Sequence, residues 1–331
     1  MNLKYPIKDK IKFFIFGMGL REKLILTEKE NGKYQLINYS NNKKIILDDL
    51  TNVKIIPEDY KVECTNINKE KIIILENEKG IYIIEKNKTT TISDRKINIP
   101  NFEKYKKSKE LKILFQEVMV NVTTKGPTPN FIAYPTPWYR DAAIVTMVLE
   151  KTDNLSEIID WINNIETMYD ENNGSKEPDN LGEVLYLLSF STVDKSAIIN
   201  KILKEAQEIS KDKDYISGIT DGELHPVYQT KWLKFGMEKL GIDSSKYIIP
   251  NILDSYGDLT YFYQKNKTNS NKLNEKFFDK RWPYLYYARL NFYDKVINYN
   301  EGKYPLSSEW EPSKANFDNM EIISKYYKEK N

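Results

Sequence analysis

The chain has 331 residues, with 50 basic against 48 acidic side chains, one histidine and one cysteine. That length supports two domains and a sizeable core, and the near-cancelling charge gives no electrostatic case for a nucleic-acid or membrane partner. A single cysteine, Cys64, excludes an internal disulfide framework and multi-cysteine metal sites, and a single histidine, His225, excludes two-histidine zinc sites, so no cofactor or metal is implied.

The first apolar run, 11–20, is short, interrupted by Gly17 and Gly19, and bounded by charged residues. It reads as a strand and not as a secretory leader, which makes a cytoplasmic protein the expectation. Short β-branched runs follow at 12–16, 23–27, 34–38, 44–47, 53–56, 71–75 and 81–84, separated by turn residues. This spacing predicts an antiparallel β domain over 1–98, a small sandwich or a curved sheet. An internal echo at an offset of 48 aligns Glu22 to Tyr34 with Glu70 to Tyr82, each copy resembling a hairpin with glycine near its turn.

From Asn101 the pattern becomes helical. A helix is expected over 102–120, then an irregular stretch where Gly126, Pro127 and Pro129 forbid regular structure. The segments 140–150 and 181–190 are apolar nearly all round, whereas 156–168 and 196–209 carry one apolar stripe each. Further apolar and aromatic helices are expected over 227–240, 256–264 and 284–293, with a polar connection at 265–281. Buried and half-buried helices in alternation predict an α/α toroid of helical hairpins over 99–331, so the expected class is α+β, multidomain.

The starts of the apolar helices hold the most distinctive residues. Thr136 can N-cap and Pro137 suits a first helical position, and they lead into Trp138, Tyr139, Arg140 and Asp141. Aromatic faces beside a charged pair suit the binding of sugar hydroxyls, while Asp141 can equally complement a helix dipole with Arg140 as its partner. Later starts carry Glu177, Asp179 and Asn180, then Asp221, His225, Tyr228 and Lys231, then Tyr256 and Asp258, then Trp282. Asn180 and Glu183 have the spacing of a capping box, and His225 before Pro226 reads as a packed or hydrogen-bonded helix-start histidine sooner than as a general base.

The run Trp138-Tyr-Arg-Asp-Ala-Ala143 resembles a signature of the six-hairpin glycosidase superfamily, in particular the glucoamylase-type hydrolases, which carry a β domain before an α/α toroid. The resemblance implies that Arg140 and Asp141 hold sugar hydroxyls. The stretch Pro305-Leu-Ser-Ser-Glu309 is similar to the loop bearing that family's general base, which would fall on Glu309, with Glu311 as its neighbouring rival. The family's acid-bearing Trp-Glu-Glu run has no counterpart, leaving Asp179, Glu177 and Asp258 as candidates for the acid.

The expected function is therefore an inverting glycoside hydrolase acting on an oligosaccharide or polysaccharide. One protonated carboxyl would serve the leaving oxygen and a second, roughly 6.5 to 9.5 Å away, would activate water. Trp138, Tyr139, Arg140, Asp141, Asn180, His225, Tyr228, Lys231, Tyr256, Trp282 and Glu311 are the candidate substrate contacts. Two rivals stand beside it. One is a polysaccharide lyase or epimerase in which Tyr228 removes a proton and His225 or Arg140 neutralises a uronate; the other is a toroid that binds a glycan or a protein without catalysis.

Overall fold

Eight strands pair in chain order, each antiparallel to the next: β1 (Phe13–Phe16), β2 (Leu24–Glu28), β3 (Tyr34–Asn38), β4 (Lys44–Ile56), β5 (Lys61–Thr65), β6 (Lys71–Asn77), β7 (Gly80–Glu85) and β8 (Lys88–Ser93). The computed structural model describes residues 13–105, 108–252, 254, 256–257 and 259–263. The expected site residues Asp258, Trp282, Glu309 and Glu311, and the segments 265–281 and 284–293, lie outside the described residues.

One sheet forms, and the repeated segments become the hairpins β2–β3 and β6–β7. The expected runs 44–47 and 53–56 are a single long strand, β4. The polar residues between them suggest a break, yet Asp49 (φ 51°) and Asn52 (φ 50°) turn left-handed and the pairing register slips there, so the strand bulges and continues. β5 and β8 had no predicted counterpart. In β5, Val62 and Cys64 alternate with Lys61 and Glu63, so only two side chains enter the core, too few to stand out.

One face of the sheet buries Phe14, Phe16, Leu24, Leu26, Leu36, Leu50, Val62, Cys64, Ile72, Ile74, Ile81 and Ile83 as a continuous core. Opposite, Ile25 and Ile37 pack on Phe131 and Ile132. The loop after β1 is held by buried charges. Gly17 and Met18 donate backbone N–H to Glu76, Arg21 pairs with the same carboxylate at 3.0 Å, and Lys23 Nζ donates to the carbonyls of Gly17 and Gly19. Burial pushes the Lys23 ammonium down to about 7, against the raising effect of Glu76 and Glu157.

The helices are α1 (Ser108–Val120), α2 (Tyr139–Lys151), α3 (Ile159–Asn163), α4 (Asp179–Leu188), α5 (Ser196–Ile209) and α6 (Pro226–Lys239). Two-residue ladders, β9 (Val122–Thr123) with β10 (Gly126–Pro127) and β11 (Ile219–Thr220) with β12 (Glu223–Leu224), close tight hairpins. Among the described residues, one compact unit takes 13–136 with Val145–Ile158, and the other takes Pro137–Ile144 with 159–263.

The expected α/α toroid is not formed, and the likeness to six-hairpin glycosidases falls with it. Among the described residues there are six α-helices beside a large antiparallel sheet, with no ring of hairpins. A toroid requires apolar inner helices separated by half-exposed outer ones. Instead the buried helix α4, with all ten residues inaccessible, packs directly on α6. Their backbones touch at two glycines: a Cβ on Gly182 would lie 2.2 Å from the Trp232 carbonyl carbon, and one on Gly236 would lie 2.4 Å from the Gly182 oxygen. The outer helix expected over 156–168 shrinks to the five residues of α3, because Asn163 Oδ1 accepts from Ser191 and Thr192 of a neighbouring turn. Nor is 140–150 wrapped on every side, since Ile144 is exposed. α5 has its expected single buried stripe, Ile198, Ile202 and Ala206. No helix among the described residues is long and apolar enough to cross a membrane.

Candidate active site around Arg140

Arg140 sits in the first turn of α2, which begins at Tyr139, two residues beyond the expected start at Pro137. Its cap comes from elsewhere in the chain: Asp170 Oδ2 accepts the Tyr139 N–H at 2.7 Å, supplying the carboxylate that a helix N-terminus favours. Asp170 Oδ1 also accepts from Asn172, whose amide donates to the Pro137 carbonyl, so the 170–173 turn and the α2 start are fixed together.

Each nitrogen of the guanidinium fork donates to a carboxylate. Nε donates to Asp179 Oδ2 at 3.0 Å, one Nη to Asp221 Oδ2 at 2.6 Å and the other to Glu177 Oε2 at 2.9 Å. Planar, delocalised and permanently charged, the guanidinium presents its donors in a fixed fork that serves three carboxylates arriving around its edge. Asp179 is fully inaccessible, and its second oxygen accepts from Thr220 at 2.8 Å. Glu177 Oε1 accepts the Asp221 N–H at 2.9 Å and the Asn173 amide at 3.1 Å. Asp221, with 29% of its side chain exposed, is the most open of the three. Its Oδ2 also accepts from Tyr256 at 2.9 Å, while its Oδ1 meets the Asn173 amide at 3.4 Å.

Local sequence chemistry explains why Asp221 reaches this place. It is the first residue of the two-residue turn joining β11 to β12, with φ of 50°, and Gly222 follows at φ of 83°. Two successive left-handed residues are what an Asp-Gly hairpin turn supplies. The turn is anchored through Gln229 of α6, which bonds both the N–H and the carbonyl of Gly218 and the hydroxyl of Thr220.

Around the cluster the acids stand in different environments. Burial pushes the Asp141 carboxyl up to about 6; Arg140 opposes the rise, and the charges of Asp170 and Asp221 add to it. Burial also raises Glu177 from the ordinary carboxylate range. Deeper still, burial and then the Asp179 charge push Glu183 well above that range; it is wholly inaccessible, and Tyr228 and Asn180 donate to its two oxygens at 3.0 and 3.1 Å. The guanidinium fills the centre that a cation would need, and among the described residues no three His, Cys, Asp or Glu side chains are arranged to hold a metal ion.

Of the residues expected from sequence, the structure brings Arg140, Asp141, Glu177, Asp179 and Tyr256 into one cluster, with His225 stacked behind Tyr256 at 4.0 Å between ring centres. His225 stands at the N-cap position of α6, the packed helix-start role. Tyr139 is turned away, its hydroxyl bonded to Thr167. Lys231 is buried and donates to the Gly257 carbonyl at 2.8 Å, and Trp138 is half-buried, its carbonyl accepting the Ala142 N–H. The Asn180–Glu183 capping box is not formed. Asn180 lies inside α4, and its Nδ2 meets the Glu183 carboxyl while its Oδ1 accepts the Asp170 N–H. Tyr228 is buried with its hydroxyl on Glu183, and burial raises it well above the ordinary phenol range.

Asp221 and Asp254 open two of the distinctive stretches in the sequence, 221–231 and 254–258, but sequence reasoning gave neither a role, although the Asp221-Gly222 pair between two short apolar segments carried a hairpin signal. Asn173 was unmarked, since nothing in its neighbourhood reports a long-range contact. Comparison with protein families, with curated proteins and with solved structures gives no match for this chain.

Proposed function

We propose that the protein is a carbohydrate-active enzyme, a glycoside hydrolase acting on an oligosaccharide or polysaccharide, with its reacting centre at the open edge of the Arg140 cluster. The observation that carries the reading is a pair of acids on Arg140 in opposed environments: Asp141, its neighbour in the first turn of α2, and Asp221, which its guanidinium holds at 2.6 Å. Asp141 is raised to about 6 and has no side-chain partner among the described residues, whereas Asp221 is ion-paired to Arg140 and keeps one oxygen weakly engaged. Carboxyls whose surroundings push them apart in this way divide acid and base roles. Asp141 gives its proton to the leaving glycosidic oxygen as the bond to the anomeric carbon breaks. Asp221 takes a proton from the water that attacks that carbon. Arg140, Glu177 and Asp179 form the rigid base of the site, and the Tyr256 ring borders it.

The test is release of reducing ends from a panel of oligosaccharides and 4-nitrophenyl glycosides. Asp141→Asn and Asp221→Asn should each lower kcat by about 10²- to 10⁴-fold, the range for a lost general acid or base, with folding intact. Unchanged turnover in both variants overturns the assignment, and an unsaturated product absorbing in the ultraviolet replaces hydrolysis by elimination. A second reading, sugar binding without catalysis, is favoured by the saturation of Asp179, both of whose oxygens are already bonded. A saccharide that raises the melting temperature by mass action and is never cleaved would establish it.

A further inference from the structure

His225, the sole histidine, is restrained on its edge and on its face. Its Nδ1 lies 2.9 Å from Asp254 Oδ1. The same carboxylate accepts the backbone N–H of Tyr256 on Oδ1 and that of Tyr228 on Oδ2, each at 2.9 Å, so Asp254 and Tyr256 are tied to the first turn of α6. A carboxylate accepting three hydrogen bonds acts as acceptor only, which places the proton of the neutral imidazole on Nδ1. The ring then stacks on Tyr256, 4.0 Å between centres and 3° from parallel, while Tyr228 meets Tyr256 edge-on. Among the described residues, Asp254, Tyr228 and Tyr256 are the titratable groups against the imidazole. Tyr256, held in this way, donates its hydroxyl to Asp221 Oδ2.

We propose that His225 is a positioning residue for Asp221: with Asp254 it fixes the Tyr256 ring, and the Tyr256 hydroxyl holds Asp221 Oδ2 so that Oδ1 is the oxygen presented to a substrate. The proposal rests on the reading of Asp221 as the base, and it explains two features that helix capping does not require. A helix start needs neither a buried carboxylate on the imidazole edge nor a parallel aromatic stack. Orientation of this kind matters because misplacing a reacting group by about 1 Å costs on the order of 10²-fold in rate.

Two measurements test it separately. In the first, ¹⁵N NMR of the single imidazole should show the Nδ1-protonated tautomer, lost in Asp254→Asn, and its ring resonances should move in Asp221→Asn through the Tyr256 bridge. An Nε2-protonated ring, or resonances unmoved by Asp221→Asn, overturns the proposal whether or not any glycoside is cleaved. In the second, on the 4-nitrophenyl glycoside that the wild type turns over fastest, His225→Gln and Tyr256→Phe should each lower kcat by about 10²-fold with little change in KM. The double variant should fall no further than either single one, because both act on one carboxylate. Multiplying losses would show His225 to be structural and overturn the proposal. If the wild type cleaves no glycoside, the hydrolase reading fails, and the imidazole spectra decide the positioning role alone.

Discussion

Replacing Arg140 by methionine keeps much of the side chain's apolar stem and removes the one cation that three carboxylates share. Asp179 is fully inaccessible, Glu177 is 8% exposed and Asp221 29% exposed, so the penalty is greatest at Asp179 and most screened at Asp221. Removing one partner of a buried ion pair costs about 3–5 kcal/mol, since the remaining charge is left without compensation. Asp179 alone brings Arg140→Met into that range near pH 7.5, a large part of the roughly 5–15 kcal/mol that holds a domain folded.

The sign of the pH dependence separates this account from a loss of packing. In the variant the folded cluster gains a proton more readily than the unfolded chain does, because protonation relieves repulsion among crowded acids. The folded state therefore binds more protons, and its stability must rise as pH falls. One such proton contributes at most about 1.4 kcal/mol per pH unit, so the deficit should shrink by roughly 2–3 kcal/mol between about pH 7.5 and about pH 5. Urea unfolding followed by tryptophan fluorescence at both values, with unchanged denaturant slope, measures it. A deficit under about 1 kcal/mol, or the same deficit at both values, would refute the reasoning from uncompensated charge. Arg140→Lys should fall between, as a compact tetrahedral ammonium keeps the charge but not the planar fork that sets the three bonds.

Two further outcomes follow from the packing and from the sheet. Gly182→Ala should destabilise by about 3 kcal/mol or more in the same urea assay, because the new methyl meets the α6 backbone, which cannot yield as a side chain would; Gly174→Ala, where nothing lies within 4 Å of the added carbon, should not show that steric loss. Lys23, lowered by burial to about 7 from an ordinary 10.5, loses its proton in the folded state first, so stability should rise between about pH 7 and pH 9 by up to about 1.4 kcal/mol per unit. Lys23→Met should flatten that slope relative to the wild type.

The sheet was largely legible because its evidence is local. β-Branched runs and turn residues carry their own conformational preference, and one buried face imposes a period of two that no distant contact has to explain. What failed in the β region failed locally too: Asp48, Asp49 and Asn52 read as a break, but left-handed turns at Asp49 and Asn52 let β4 bulge through it. The helices were placed by the same kind of evidence, and α4, α5 and α6 lie close to their expected bounds. The toroid was inferred from which helices are apolar, and periodicity does not specify the partner that buries an apolar face. The α4–α6 contact depends on Gly182 and Gly236, two residues that the hydrophobic pattern scores as interruptions and that the backbone needs for close approach.

The site shows the same division between what a segment says about itself and what it says about a distant one. Arg140 and Asp141 stood out because aromatic, basic and acidic side chains crowd a helix start, and Glu177 and Asp179 because they precede a wholly apolar helix. Asp221 contributes through a turn whose sequence announces only a hairpin, and Asp254 through hydrogen bonds to Tyr228, His225 and Tyr256. These two acids decide the chemistry proposed for the cluster. With Asp221 absent, Arg140 would serve two inaccessible or nearly inaccessible carboxylates and the cluster would be an internal ion network. With it present, the network has an open end at the half-buried Asp221 carboxylate, and the helix turn that carries Arg140 also carries an acid raised to about 6. The turn that delivers Asp221 needs a glycine at its second position, so Gly222→Val should strain the left-handed backbone and move the carboxylate. It should thereby lower turnover as Asp221→Asn does while leaving the α4–α6 packing intact.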